Sequence, residues 1–280
     1  MSQKPKTKLI GIGVIVLAII VGLIFWQQYK KSGNDEIVIG ISPPFAKPLQ
    51  VAIDEAKKQG INVKAVEFSD WNTPNITLSH GDIDANYFQH QPFLNNALKE
   101  TGFKLKPVDI GVATHVGLYS KKYASLDAVP DKARVVIPND PVNQGRALLL
   151  LQQANLIELK DPNNHLSNLQ DIKSNPKNFN FVEVEGPQTA RAVDDADLVF
   201  SYPLYLRLAK TMDPNKALLL DDNTNTLYAI LFVTRDDYQE KHPEKYENLK
   251  KFIKIYQSSP AVKQALNDDI GANLWFPGWK

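Results

Sequence analysis

Asn143-Gln144-Gly145-Arg146 places a guanidinium where the sequence pattern predicts the opening of a helix, Gly145 to Asn155. The first backbone N–H groups of a helix lack intrahelical partners and carry positive partial charge, so such a start favours an anion. Arg146 adds a planar fork of donors that fits a carboxylate bidentately. Phe88 and His90 stand two residues apart in an extended segment, which puts both side chains on one side and Tyr87 on the other. Other chemistries find less support. The chain has no cysteine, and its five histidines (His80, His90, His115, His165, His242) lack metal-ligand spacing. Asp82 and Asp84 mimic a catalytic carboxylate pair, but alternation with apolar residues fits turn capping better. No P-loop string occurs, and no cofactor is implied.

The elements that must hold these residues read as α/β, with short β-branched runs alternating with longer amphipathic stretches. The first unit opens with a strand at Ile37 to Ile41, a helix at Leu49 to Gln59 ended by Gly60, and a strand at Ile61 to Phe68. A helix near Pro74 to His80, a strand at Ala85 to Phe88 and a helix at Gln91 to Thr101 closed by Gly102 follow. Lys104 to Gly111 and Val116 to Ser120 lead into a second unit. Its pattern is a strand at Arg134 to Pro138, the helix carrying Arg146, and strands at Phe179 to Glu185 and Leu198 to Ser201. A helix at Gln188 to Asp194 lies between those two strands. Leu227 to Thr234 is a further strand, and Glu244 to Gln257 and Pro260 to Asn267 are terminal helices. Residues 37 to 280 are too many for one ordinary core and predict two domains with a ligand cleft between them.

Ahead of these units, Leu9 to Trp26 is an unbroken apolar run bracketed by Lys4, Lys6 and Lys8 and by Lys30 and Lys31. At about 1.5 Å per residue it reaches roughly 27 Å, close to the hydrocarbon thickness of a bilayer. It ends at Phe25-Trp26 without the small residues of a cleavage site, so it is expected to stay as an uncleaved anchor. The charge flanks put residues 1–8 in the cytoplasm, 9–26 in the inner membrane as a single pass, and the rest, after a linker at 27–36, in the periplasm or extracytoplasmic space. Without cysteine these 280 residues offer no disulfide and no thiol for a lipid, so the apolar helix is the expected tether. A formal net charge of +1 calls for no nucleic-acid partner.

Several longer motifs carry a resemblance. They are Asp82-Ile83-Asp84-Ala85-Asn86-Tyr87-Phe88-Gln89-His90, Gly117-Leu118-Tyr119-Ser120-Lys121-Lys122, Ile137-Pro138-Asn139-Asp140-Pro141 with Gly145 to Leu151, and Asn175-Pro176-Lys177-Asn178. Together they resemble the NlpA/MetQ family of methionine-binding proteins of ABC importers, over nearly all of residues 37 to 280. The resemblance implies a type II periplasmic-binding-protein fold: two α/β lobes joined by two hinge strands. Lobe 1 would take 37–116 plus 235–280, and lobe 2 would take 117–234. It implies a monomer that delivers its ligand to an importer permease and ATPase. It also implies that Trp71 and Phe88 form an aromatic wall for a thioether or apolar side chain, that His90 makes a polar contact, and that Arg146 holds a carboxylate.

The chain departs from the family at the head-group end. Tyr202-Pro203-Leu204-Tyr205 stands where members read Asn-Gly-Asn-Tyr, so Leu204 takes an asparagine position, and Ile230 takes a second. Phe45 stands where members have a histidine. Methionine is then expected to bind more weakly unless Tyr202 or Tyr228 substitutes, because an unpaired buried polar group costs about 1 to 3 kcal/mol. The expected ligand is an anion with an apolar or sulfur-bearing body: methionine, a modified methionine, or another organosulfur acid. Two other classes stay open, a ligand-binding sensor or scaffold without a transport role, and an enzyme.

Overall fold

The computed structural model describes residues 35–221 and 226–279. The apolar run at 9–26 lies outside them, and among the described residues no helix is long and apolar enough to cross a membrane.

The strands in chain order are β1 (Ile37–Ile41), β2 (Val63–Glu67), β3 (Ala85–His90), β4 (Leu105–Ile110), β5 (Val112–Thr114), β6 (Gly117–Tyr119), β7 (Arg134–Pro138), β8 (Glu158–Leu159), β9 (Ile172–Ser174), β10 (Asn180–Val184), β11 (Leu198–Ser201), β12 (Leu219–Leu220), β13 (Ile230–Arg235) and β14 (Trp275–Pro277). They form a five-stranded sheet ordered β2-β1-β3-β13-β4 and another ordered β10-β7-β11-β6-β12, with two-stranded pairs β14-β5 and β8-β9. In the first sheet β1 runs parallel to β2 and β3, and β13 is antiparallel to β3 and β4. The second repeats the scheme, with β7 parallel to β10 and β11 and β6 antiparallel to β11. The molecule is thus mixed α/β with two sheet-containing lobes, and the chain crosses between them after β5 and again after β12.

Burial explains the strand composition. Ile37, Ile39 and Ile41 are fully buried, as expected for a central parallel strand covered on both faces. Gly40 is required there, because a Cβ would sit 2.7 Å from Ile83 Cδ1 and 2.8 Å from Phe68 Cε2. The helix Ala46–Lys58 buries Leu49, Ala52, Ile53 and Ala56, a 3.6-residue stripe packed on the helices Pro243–Ser258 and Pro260–Asp269. All of β3 is buried. It is fixed by an amide network in which Asn75 Nδ2 donates to Gln89 Oε1 at 2.9 Å and Asn86 Nδ2 to Asn75 Oδ1 at 2.9 Å. Asp84 accepts from the Val38 N–H at 2.8 Å, a structural role.

Two expectations change, and one helix is new. The helix bearing Arg146 spans Pro141–Gln153 rather than starting at Gly145. Asp140 is its N-cap and Pro141 its first residue, which is where a proline with no N–H to lose is best placed. Strand β13 hydrogen-bonds within the first sheet, so residues 230–234 belong with the first lobe and not, as the 234/235 boundary had them, with the second. Tyr202-Pro203-Leu204-Tyr205 opens a helix, Pro203–Ala209, again with proline in the first turn.

Candidate functional site

Phe88 and His90 leave β3 on the cleft side, while Tyr87 turns into the first lobe to stack on Phe232 at 4.1 Å and meet Tyr256 Oη at 2.9 Å. His90 is also the N-cap of the helix Gln91–Thr101, its Nδ1 accepting from the Phe93 N–H at 3.3 Å. That contact leaves the ring proton on Nε2, which faces Asn143 Oδ1 of the other lobe at 3.2 Å. Asn143 is held in turn by Asp140, which accepts from its backbone N–H at 2.9 Å and its Nδ2 at 3.0 Å. Burial, reinforced by the charge of Arg146, depresses the His90 pKa to about 3, so the imidazole is neutral.

Arg146 lies in the second turn of its helix, so the argument from free N–H groups at a helix start does not apply to it. The Asp140 side chain already accepts from the Asn143 N–H, and the Asp140 carbonyl accepts from the Gln144 N–H. Its charge has an internal partner: one Nη donates to Asp221 Oδ2 at 2.8 Å. The other Asp221 oxygen meets His115 Nδ1 at 3.0 Å and accepts from the Val116 N–H at 3.1 Å. Burial by itself would raise the Asp221 carboxyl, but His115, Arg146 and Val116 together hold it below the usual carboxylate range. The same hydrogen bond is the main cause that raises His115. The guanidinium carbon sits 4.1 Å above the Tyr228 ring, and Tyr228 Oη is fixed by His165 Nδ1 at 2.8 Å. Gly145 permits this arrangement, since a Cβ there would lie 2.2 Å from the His165 carbonyl oxygen. Arg146 Nε is buried with no hydrogen-bond partner.

Trp71, from the segment after β2, reaches across the cleft. Its Nε1 donates to Tyr205 Oη at 2.9 Å, and its ring meets Tyr202 edge-on at 5.4 Å between centroids. It fits only because residue 186 is glycine: a Cβ there would lie 2.0 Å from Trp71 Cζ3. Tyr202 Oη, like Arg146 Nε, is buried and unpartnered.

All seven candidate residues face one interlobe cavity. Trp71, Phe88 and His90 come from the first lobe, Arg146, Tyr202 and Leu204 from the second, and Tyr228 from the segment returning to β13. Phe45 and Ile230 line it too, so the positions read as apolar replacements do face the cleft. Sequence reasoning missed Phe93, Asn143, Tyr205 and Asp221 as members or supports of this site. An aromatic three residues past the His90 cap and a carboxylate remote in sequence give no local periodic signal. The cavity measures about 40 Å³, room for a few waters.

The sequence model of the NlpA lipoprotein family matches residues 37–279. The chain belongs to that family. Among NlpA-family relatives, the D-methionine-binding lipoprotein MetQ of Escherichia coli K12 is 38% identical over 230 residues, covering 82% of each chain. A crystal structure of the methionine binding protein MetQ superposes with a TM-score of 0.80 at 38% identity, covering 88% of this chain and 99% of that one. The substrate binding protein of a methionine transporter from Streptococcus pneumoniae gives 0.81 at 30% identity, covering 87% and 96%. A nutrient binding protein from Burkholderia cenocepacia, solved bound to methionine, gives 0.78 at 35% identity, covering 87% and 100%. These relatives are binding proteins, which points away from catalysis for this NlpA-family chain.

Proposed function

We propose that this protein is the extracytoplasmic substrate-binding component of an ABC importer and captures a small carboxylic acid with an apolar or sulfur-bearing body, methionine or a related organosulfur acid. The observation that carries the reading is the interlobe cavity that Arg146 from one lobe lines together with Phe88, His90 and Trp71 from the other. A ligand carboxylate would accept from the unpartnered Arg146 Nε, and its body would lie against the aromatic faces. Contacts to both lobes exist only when the cleft is closed, so ligand biases the open–closed equilibrium by its differential affinity. The two crossings serve as the hinges of a type II binding-protein fold, and the permease recognises the closed form.

The relatives in the MetQ group are called lipoproteins, whereas this chain has no cysteine to acylate. The apolar run at 9–26 supplies the tether in this reading, with the lobes outside the inner membrane and held near the transporter at high local concentration. Of the surface lysines available for docking, Lys121 and Lys122 already pair with Asp194 and Asp197.

Calorimetric titration of the full-length chain in detergent against methionine, its sulfoxide, methionyl dipeptides and alkyl sulfonates tests the reading, in parallel with Arg146→Ala. Loss of a charge-assisted hydrogen bond should weaken every acidic hit by about 2 kcal/mol, roughly thirtyfold. Equal affinity in the variant, or no acidic hit at all, would reject the proposal.

A further inference from the structure

Among the described residues, the cavity is supplied with hydrogen-bond donors and has no carboxylate in its lining. No Asp or Glu among the described residues lines it; Asp221 is already shared among Arg146, His115 and the Val116 N–H. Most of the lining side-chain oxygens are engaged as well. Asn143 Oδ1 faces His90 Nε2, Gln89 Oε1 accepts from Asn75, Tyr205 Oη accepts from Trp71, and Tyr228 Oη pairs with His165. Leu204 and Ile230 present only hydrocarbon. Two buried atoms of the lining have no partner: the Arg146 Nε–H, which can only donate, and the Tyr202 hydroxyl, which can donate or accept.

This inventory suits a carboxylate and does not suit an ammonium. Both unpartnered groups can donate to a carboxylate, whereas an ammonium brings three N–H donors that need acceptors, preferably charged ones. Burying such a cation without them is costly, and the nearest charge it would meet is the Arg146 guanidinium. His90 already shows the sign of that environment: after burial, the Arg146 charge is the next cause holding its imidazole neutral.

Resting on the importer reading above, we infer that the cleft takes a carboxylic acid with an apolar or thioether body and no free ammonium group, that is, a desamino or N-acylated acid in preference to a zwitterionic amino acid. Leu204 and Ile230 are then the positions that set the preference, because each lines the cavity with hydrocarbon and offers an ammonium no acceptor.

The test is calorimetric titration of the full-length chain in detergent with 4-(methylthio)butanoate, N-acetylmethionine and methionine, which share a thioether and a carboxylate and differ at the amine. At least one of the two amine-free acids should bind about tenfold or more tightly than methionine, and which one does so separates the desamino from the N-acyl source. Leu204→Asn with Ile230→Asn, which adds two amide oxygens, should move the ratio toward methionine by about tenfold. Methionine bound as tightly as the amine-free acids by the wild type overturns the inference and leaves the importer reading standing. No binding of any of the three overturns the inference, and the wider panel of acids above then decides the importer reading. An unchanged ratio in the asparagine variant, with acid binding retained, removes Leu204 and Ile230 from the explanation and so overturns the inference as stated.

Discussion

Arg146 and Asp221 form a buried ion pair at 2.8 Å, with both side chains about nine-tenths shielded from solvent. The cation that faces the cleft is therefore balanced from behind, and its Nε remains unpaired. Removing one partner of a buried pair leaves an uncompensated charge, which costs far more than the pair itself contributes. Asp221→Asn should lower unfolding free energy by about 3 kcal/mol in urea titrations. A loss below about 1 kcal/mol would show that water reaches Arg146 and screens it.

Trp71 and Tyr205 join the lobes by a hydrogen bond at 2.9 Å. Trp71→Phe keeps an aromatic face but removes the N–H, at a cost of about 1 kcal/mol to the closed arrangement. Ligand affinity should fall about fivefold, and small-angle scattering of the ligand-free variant should report a larger radius than wild type. An unchanged radius together with unchanged affinity would mean that this bond does not hold the cleft.

Gly186→Ala tests closure sterically. The added Cβ would come within 2.0 Å of Trp71, in a backbone that alanine itself can adopt. Each lobe should fold normally, with unfolding free energy within about 0.5 kcal/mol of wild type. Ligand affinity should drop by more than about tenfold, since the gap cannot shut around the ligand. Retained affinity would show that Trp71 need not pack against residue 186 for binding.

Stability should depend on pH through two histidines of opposite sign. The folded pKa of His90, near 3, lies below its ordinary 6.5, so the unfolded chain takes the proton first and stability falls as pH drops from about 6.5. His115 is raised by Asp221, so its contribution is complete below 6.5 and is lost as pH rises through its folded value. His90→Asn keeps an N-cap acceptor for the Phe93 N–H and removes the titration. Thermal unfolding of that variant should be less sensitive to pH between about 4 and 6.5 than wild type. Equal acid sensitivity would place the effect elsewhere.

Local pattern alone was enough for much of this fold and for one side of the site. β1 and β7 follow their β-branched runs, the helix Gln91–Thr101 ends at Gly102 in the left-handed region as a C-cap glycine should, and the two-residue period put Phe88 and His90 on one face with Tyr87 opposite. Pro141 and Pro203 each stand in the first turn of a helix, Pro141–Gln153 and Pro203–Ala209, a local start signal that the chain itself carries. Long-range packing decided the rest. Asp221 meets Arg146 across 75 positions, and Trp71 meets Tyr205 across 134. Periodicity reports which way a side chain leaves its own element, but not which distant element will be opposite. Only the docking of two sheets, with the chain crossing between them twice, brings those groups within hydrogen-bonding reach.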